Sequence, residues 1–241
     1  MARVPVRMHD LRQARRRRAA GLAKRRGVCL KRIQLLRSTG LIDVRSFAQL
    51  EAWLVAFDAA TPIDLLFANA VMMGGAPPGA DLEIPEIGRA LIETNVIGVL
   101  NTVYAVLQRM VERRAGQIAI VSSLAGLTPV PDAPSYGASK AAVLSFGLAL
   151  RALVHESGVK INVICPGYVL TPMTAQEHGQ KPFMMSAERA AELIASGLDR
   201  DKSIIAFPRV FTLLTRIGTL LPERVQRLAA RRFRFKVTQR D

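Results

Sequence analysis

From about residue 41 the chain alternates short apolar runs with longer amphipathic stretches, and this alternation limits its fold more than any other feature. Such a pattern is typical of repeated βα units, in which buried parallel strands are joined by helices. The apolar runs predict strands over 63–70, 117–123, 159–165 and 203–207, and the amphipathic stretches predict helices over 85–114, 136–155 and 186–198. The sequence therefore predicts an α/β fold built on a parallel sheet.

The net charge of +15 is concentrated at one end of the chain. Residues 1–40 hold thirteen Lys or Arg and one acid, Asp10, whereas the other 201 residues hold 21 bases and 18 acids. The predicted α/β region is thus close to neutral, and the basicity belongs to a separate N-terminal segment. We therefore expect no nucleic-acid partner for the α/β region.

Length and cysteine content fit one sizeable intracellular domain. A chain of 241 residues, half of them hydrophobic, can bury a large core. The two cysteines, Cys29 and Cys165, suit neither a disulfide framework nor a metal site, so we expect no metal. No uninterrupted apolar run reaches the ~18 residues that a spanning helix needs. We expect a cytoplasmic protein.

Tyr136 and Lys140 lie four residues apart on a predicted helix, which places them on one face about one turn apart. An ammonium group beside a phenol favours the phenolate and lowers its pKa, which suits a residue that exchanges a proton with an alcohol or carbonyl oxygen. Ser123 ends a predicted parallel strand, where open α/β sheets bind their ligands. Its hydroxyl could hold the reacting oxygen beside Tyr136.

This set of Ser123, Tyr136 and Lys140 resembles the catalytic core of the short-chain dehydrogenase/reductase family, and the resemblance covers about residues 41–207. It implies a Rossmann-like, doubly wound parallel sheet in three αβα layers. Asn95 resembles the family's fourth catalytic residue, which anchors a water that relays protons to the lysine. The resemblance implies hydride transfer between NAD or NADP and a secondary alcohol or ketone.

Other matches to the family concern the cofactor. Asp43 and Val44 resemble a pair that meets the adenine ring, and Asn69 with Ala70 resembles a motif near the adenosine. The Pro-Gly turn after the third strand resembles the stretch that packs on nicotinamide. With Tyr136 and Lys140, the cofactor residues implied are Asp43, Val44, Asn69, Ala70, Pro166, Gly167, Val169 and Thr171.

The family's Thr-Gly-x3-Gly-x-Gly motif, which binds the pyrophosphate at a helix N-terminus, is absent from residues 1–40. The first βαβ unit would then be missing or distorted. Three explanations stay open: a mis-set start or frameshifted stretch, which the lack of periodicity favours, a basic targeting or anchoring arm, or a nucleic-acid-binding arm. If no cofactor binds, the alternative is a degenerate domain with a structural or partner-binding role.

The tail from Pro208 predicts two amphipathic, arginine-bearing helices split at Pro222. We expect them to pack on a substrate loop or a partner subunit, with peripheral membrane contact as the alternative. Methionines 173, 184 and 185 and Phe183 predict an apolar, adaptable pocket for a small alcohol or carbonyl substrate. The expected organisation is a basic segment over 1–40, a catalytic domain over 41–207 and basic helices over 208–241, in a homo-oligomer.

Overall fold

The computed structural model describes residues 40–179, 181–219, 221–222, 224 and 235–237. Its main sheet has four parallel strands in the spatial order β1-β2-β3-β5. The register pairs Leu65 with Gln117, Gln117 with Lys160, and Val163 with Ile204. The strands are β1 (Leu65–Ala68), β2 (Gly116–Val121), β3 (Val159–Pro166) and β5 (Ile204–Phe207).

Helices cover both faces of this sheet, which confirms the predicted doubly wound α/β class. They are α1 (Phe47–Ala60), α2 (Pro85–Ile92), α3 (Gly98–Glu112), α4 (Pro134–Leu153), α5 (Ala187–Asp199) and α6 (Arg209–Thr219). Each predicted strand and helix between residues 63 and 207 is present, with ends displaced by about two residues. Ser186 begins α5 as predicted, and its hydroxyl accepts from Arg189 N at 3.2 Å.

Alternate strand residues point to opposite faces and fill two cores. On one face Ile118, Ile120 and Ile161 pack under α1, α3 and α4. On the other face Ala119 and Ile164 pack under α5. Helix α3 contributes a buried stripe whose spacing keeps it on one side of the helix, and the stripe consists of Val99, Val103, Val106 and Met110.

A π-helix, Glu93–Ile97, interrupts the long helical run between α2 and α3. The sequence pattern predicts one continuous helix here, because the extra residue of a π-turn leaves no simple trace in hydrophobic spacing. By length and composition the whole run Pro85–Glu112 could cross a membrane. Its residues Leu91, Val99 and Met110 are buried in this fold, as in a core helix.

The tail differs in part from the sequence prediction. Helix α6 is present, but Phe235–Val237 forms strand β6, antiparallel to β4 (Glu177–Gly179). The helix predicted after Pro222 is therefore wrong over Phe235–Val237. The alternation of basic and apolar residues over 232–237 is the period-two signal that indicates a strand. The expectations for residues 1–39, including the missing first βαβ unit, lie outside the described residues.

Candidate active site

Three strands end side by side where the predicted site residues lie. Asn69 follows β1, Ser122 and Ser123 follow β2, and Gly167 follows β3. Because these strands are parallel, their carboxyl ends share one edge of the sheet. Ser123 Oγ lies 3.4 Å from Pro166 O, so the ends of β2 and β3 are in contact at this edge.

The two adjacent serines have different surroundings. Ser122 is buried, and its Oγ donates to Lys140 O at 2.7 Å, which ties the end of β2 to helix α4. Ser123 is half-buried and caps a short 3-10 turn, accepting from Ala125 N at 3.1 Å. Of the two hydroxyls, that of Ser123 is therefore the more accessible at the sheet edge.

Tyr136 and Lys140 lie one turn apart in the first half of α4, as predicted. Lys140 Nζ is 5.7 Å from the centroid of the Tyr136 ring and donates to Val121 O at 3.0 Å. The Lys140 side chain is almost fully buried. Burial disfavours the charged amine and lowers the pKa of Lys140 to about 8. An ammonium of moderate acidity thus lies beside the phenol.

Asn95 lies inside the π-helix and is fully buried. Its Oδ1 accepts from Met72 N at 2.7 Å, and its Nδ2 donates to Met72 O at 3.0 Å. Nδ2 also donates to Ser139 Oγ at 3.1 Å, and Ser139 Oγ donates to Tyr136 O at 2.7 Å. Asn95 therefore joins the loop after β1 to the turn of α4 that carries Tyr136.

The predicted adenine-side residues have clear contacts within the protein. The Asp43 carboxylate accepts from Arg45 Nη2 at 2.6 Å, and the Arg45 guanidinium holds the pKa of Asp43 below its ordinary value. Val44 is buried, and a Cβ built on Gly98 would lie 2.5 Å from it, so Val44 packs under α3. Asn69 is exposed at the end of β1, and Ala70 packs against the core.

The turn after β3 is held by contacts with the end of β5 and with the segment before α5. Gly167 N donates to Phe207 O at 2.8 Å, and Val169 forms a parallel bridge with Met185. Thr171 N donates to Thr174 Oγ1 at 3.1 Å. The segment implied to pack on nicotinamide thus leaves the same sheet edge as Ser123, starting from Pro166.

The match to a family model decides the class of the protein. The model described as short chain dehydrogenase matches residues 31–182, more than half of the chain. The chain belongs to the short-chain dehydrogenase family. The match begins ten residues before the resemblance found in the sequence and ends before residue 207.

Relatives of this chain come from several bacteria. An uncharacterized oxidoreductase of Myxococcus xanthus is 38% identical over 180 residues, which cover 74% of this chain and 70% of that protein. A protein described as a candidate ketoacyl reductase of Streptomyces coelicolor is 36% identical over 64% of this chain. That match spans only 60% of the Streptomyces protein.

Two solved structures share the fold and have more than 25% sequence identity with this chain. A short chain dehydrogenase from Mycobacterium paratuberculosis bound to NAD has a TM-score of 0.59 and 26% identity, covering 69% of this chain and 70% of that one. A variant of actinorhodin polyketide ketoreductase with NADPH has a TM-score of 0.58 and 28% identity, covering 68% and 72%. Both agree with the doubly wound fold described above.

The described residues fit the nicotinamide-ribose end of a dinucleotide. Within the described chain, the Lys140 ammonium donates one hydrogen bond, to Val121 O, and an ammonium has three donors. Two donors therefore remain for other acceptors such as ribose hydroxyls. The fit does not extend to the pyrophosphate, because residues 40–222 contain no Gly-x3-Gly-x-Gly turn before a helix.

Two residues around this candidate site do not follow from the sequence pattern. Ser139 lies inside the Tyr-x3-Lys motif, and its position three residues after Tyr136 is the signal that could have pointed to it. Glu83 contacts Ser135, which directly precedes Tyr136, at 2.7 Å. Because 52 residues separate Glu83 from Ser135, no local pattern links them.

Proposed function

We propose that this short-chain dehydrogenase catalyses hydride transfer between NAD or NADP and a secondary alcohol or ketone. The observation that carries the proposal is the pair formed by Tyr136 and the buried Lys140, with 5.7 Å between Nζ and the ring centroid. It lies at the edge of the sheet where Ser123 and the turn after β3 meet. The names of several relatives as oxidoreductases support the same reaction class.

In this proposal Tyr136 donates a proton to the carbonyl oxygen during reduction and removes it from the hydroxyl during oxidation. Ser123 donates a hydrogen bond that orients this oxygen. Lys140, protonated below about pH 8, stabilises the phenolate and binds ribose hydroxyls. Asn95 holds the loop at Met72 and supports the water relay to Lys140. A bound nicotinamide would supply or accept the hydride.

The cofactor contacts belong to the same proposal. Asp43 and Asn69 would lie on the adenosine side, and Val169 and Thr171 would contact the nicotinamide carboxamide. An adenine contact at Asp43 would share the carboxylate that Arg45 already binds. The lower pKa of Asp43 keeps it an acceptor at neutral pH.

Changing Tyr136 to Phe tests the proposal. We expect the variant to keep its fold and its affinity for the cofactor, while kcat falls by about 100- to 10,000-fold, since it lacks the group that moves the proton. Turnover would be followed by nicotinamide absorbance with ethyl acetoacetate and cyclohexanone. The matched control is Tyr104→Phe, which keeps the ring contact with Phe146 on the surface of α3. Full activity of Tyr136→Phe would refute the assignment.

The second candidate is a degenerate domain that binds no cofactor and serves a structural or partner-binding role. The absence of the glycine-rich motif from the sequence favours it. Isothermal titration with NADH and NADPH separates the two candidates. Binding of either compound supports the oxidoreductase, and folded protein that binds neither supports the degenerate domain.

For the substrate we propose a small, apolar alcohol or ketone. Phe183 and Met184 are exposed near the turn after β3, and Phe183 lies 6.0 Å from Phe211 of α6 between ring centroids. Such side chains adapt to apolar ligands. The proposal also keeps four expectations from the sequence. The protein would be cytoplasmic and a homo-oligomer, with its chain divided into three parts at about residues 40 and 207. Its tail would pack on a substrate loop or a partner subunit, with peripheral membrane contact as the alternative.

A further inference from the structure

Helix α4 begins without a capping side chain of its own. Its N-cap residue, Ala133, offers no hydrogen-bonding side chain, and Pro134 at the first position has no N–H. The first backbone donor of the helix is therefore Ser135 N. It donates to Glu83 Oε2 at 3.1 Å, and Ser135 Oγ donates to the same oxygen at 2.7 Å. Glu83 thus caps the helix from the loop before α2.

The contact between Glu83 and Ser135 lies at a close approach of two helices. A Cβ built on Gly88 of α2 would lie 2.7 Å from Ser135 Oγ, so a side chain there would displace Ser135. Glu83 stands one residue before the N-cap of α2, Ile84. The same contact therefore fixes the start of α2 against the start of α4.

The residue after Ser135 is Tyr136, whose carbonyl oxygen accepts from Ser139 Oγ at 2.7 Å. Ser139 in turn accepts from Asn95. The first turn of α4 is therefore held on one side by Glu83, through the hydroxyl and the amide of Ser135, and on the other by Asn95, through Ser139. We propose that Glu83 is a positioning residue, which holds this turn so that the Tyr136 hydroxyl keeps its place relative to Ser123 and Lys140.

Burying the Glu83 carboxylate also costs folding free energy. Its second oxygen, Oε1, is buried and has no hydrogen-bond partner among the residues that the structure describes. An unsatisfied buried oxygen destabilises a fold, although a negative charge at a helix N-terminus is favourable. Unsatisfied buried groups are few in native folds, and a functional role is one of the reasons for which a fold keeps one.

The test compares Glu83→Ala with Glu83→Gln and rests on the proposed function, since it measures ketone reduction. We expect Glu83→Ala to lower kcat by about 10- to 100-fold, because a small displacement of a catalytic group costs that much. The substrate KM and the Kd for NADPH should change by less than about three-fold, since Glu83 contacts neither in this proposal. Glu83→Gln should recover most of kcat, because its amide oxygen still accepts from Ser135.

The matched control is Glu86→Gln, an acidic residue three positions further along whose ion pair with Arg89 is exposed. We expect its kcat to equal that of the wild type. The proposal is overturned if Glu83→Ala keeps kcat within about two-fold, if Glu83→Gln is no better than Glu83→Ala, or if Glu86→Gln loses as much. A wild-type protein that binds NADPH but reduces no ketone would refute the proposed function, and this inference with it.

Ser135→Ala tests the same contact if Glu83→Ala does not fold. It removes the 2.7 Å hydrogen bond to Glu83 and leaves the Ser135 amide in place. A fall in kcat of about three-fold or more with an unchanged Kd for NADPH supports the proposal. An unchanged kcat overturns it.

Discussion

A buried amine loses hydration, and Lys140 keeps almost no exposed surface. Its ordinary pKa of 10.5 falls to about 8 in the folded protein, chiefly because burial disfavours the charge. Below about pH 8 both the folded and the unfolded chain hold this proton, and the folded chain bears the full cost of burying a cation. Between about pH 8 and 10.5 only the unfolded chain keeps it, so the free energy of unfolding rises with pH.

Lys140→Met should therefore stabilise the protein near neutral pH. We expect its free energy of unfolding to exceed that of the wild type by about 1 to 3 kcal/mol at about pH 7, and the difference to shrink toward about pH 10. Urea unfolding at both pH values measures it, with the exposed Lys160→Met as control. A Lys140→Met protein that is less stable than the wild type at neutral pH would contradict a free-energy cost of burying the Lys140 cation.

Of the proposed site residues, those that the sequence predicted have local spacing, and those that it missed are brought in by the fold. Ser123, Tyr136 and Lys140 lie within eighteen positions of one another on one strand end and one helix. The buried hydroxyl of Ser139 binds Tyr136 O, but a serine within a helix gives no sign of such a role in the sequence. Glu83 binds Ser135 from a loop 52 residues away in the sequence. Their contacts depend on how α2 and α4 pack, which no residue pattern specifies.

At the level of secondary structure, hydrophobic spacing predicts the strands and helices correctly, because their apolar side chains must face one of the two cores. Two features did not follow. The π-helix at Glu93–Ile97 turns Asn95 into the core, and its extra residue is compatible with the same run of helix formers. Strand β6 has the period-two pattern of a strand, but the arginine-bearing stretch after Pro222 predicts an amphipathic helix.

Gly126 controls how the 3-10 turn after Ser123 meets α4. A Cβ on this residue would lie 2.7 Å from both Lys140 C and Lys140 O, and backbone atoms cannot move aside as a flexible side chain can. We expect Gly126→Ala to lower the free energy of unfolding by about 2 kcal/mol or more and to lower kcat as well, since the turn carries Ser123.

Gly218→Ala is the matched control for this prediction. A Cβ there meets nothing within 4 Å, and the residue lies in helix α6. Alanine favours a helix by up to about 1 kcal/mol over glycine, so this variant should be neutral or more stable. Thermal unfolding and ketone reduction measured on both variants check the contrast. Equal stability of the two would mean that the turn can move away from α4.

In the molecule as a whole, the carboxyl ends of β1, β2 and β3 bear the proposed chemistry, while ion pairs hold other parts together. Asp58 at the end of α1 is buried and accepts from Arg109 Nε at 2.9 Å and Arg113 Nη1 at 2.8 Å. It also accepts from Ile63 N at 2.8 Å, just before β1. One carboxylate thus joins α1, α3 and the start of the sheet.

The pKa of Asp58 shows that these partners outweigh its burial. Burial raises the pKa, but the Ile63 amide and the two guanidinium groups lower it further, so that the result lies below the ordinary 3.8. A carboxylate whose pKa is lower in the folded chain stabilises the protein at pH values above the ordinary pKa of that group. That stabilisation is lost as the pH falls below 3.8 through the folded pKa.

Asp58→Asn should therefore destabilise the protein most at neutral pH. We expect a loss of about 3 kcal/mol near pH 7, because two arginines lose their buried partner, and a smaller difference as the pH falls below 3.8 and the wild-type carboxylate also gains a proton. Urea unfolding across this pH range measures both. The exposed pair of Glu86 and Arg89 provides the control, since Glu86→Gln should change stability by less than about 0.5 kcal/mol. If the Asp58→Asn loss stayed constant from neutral to acid pH, it would arise from packing rather than from the charge.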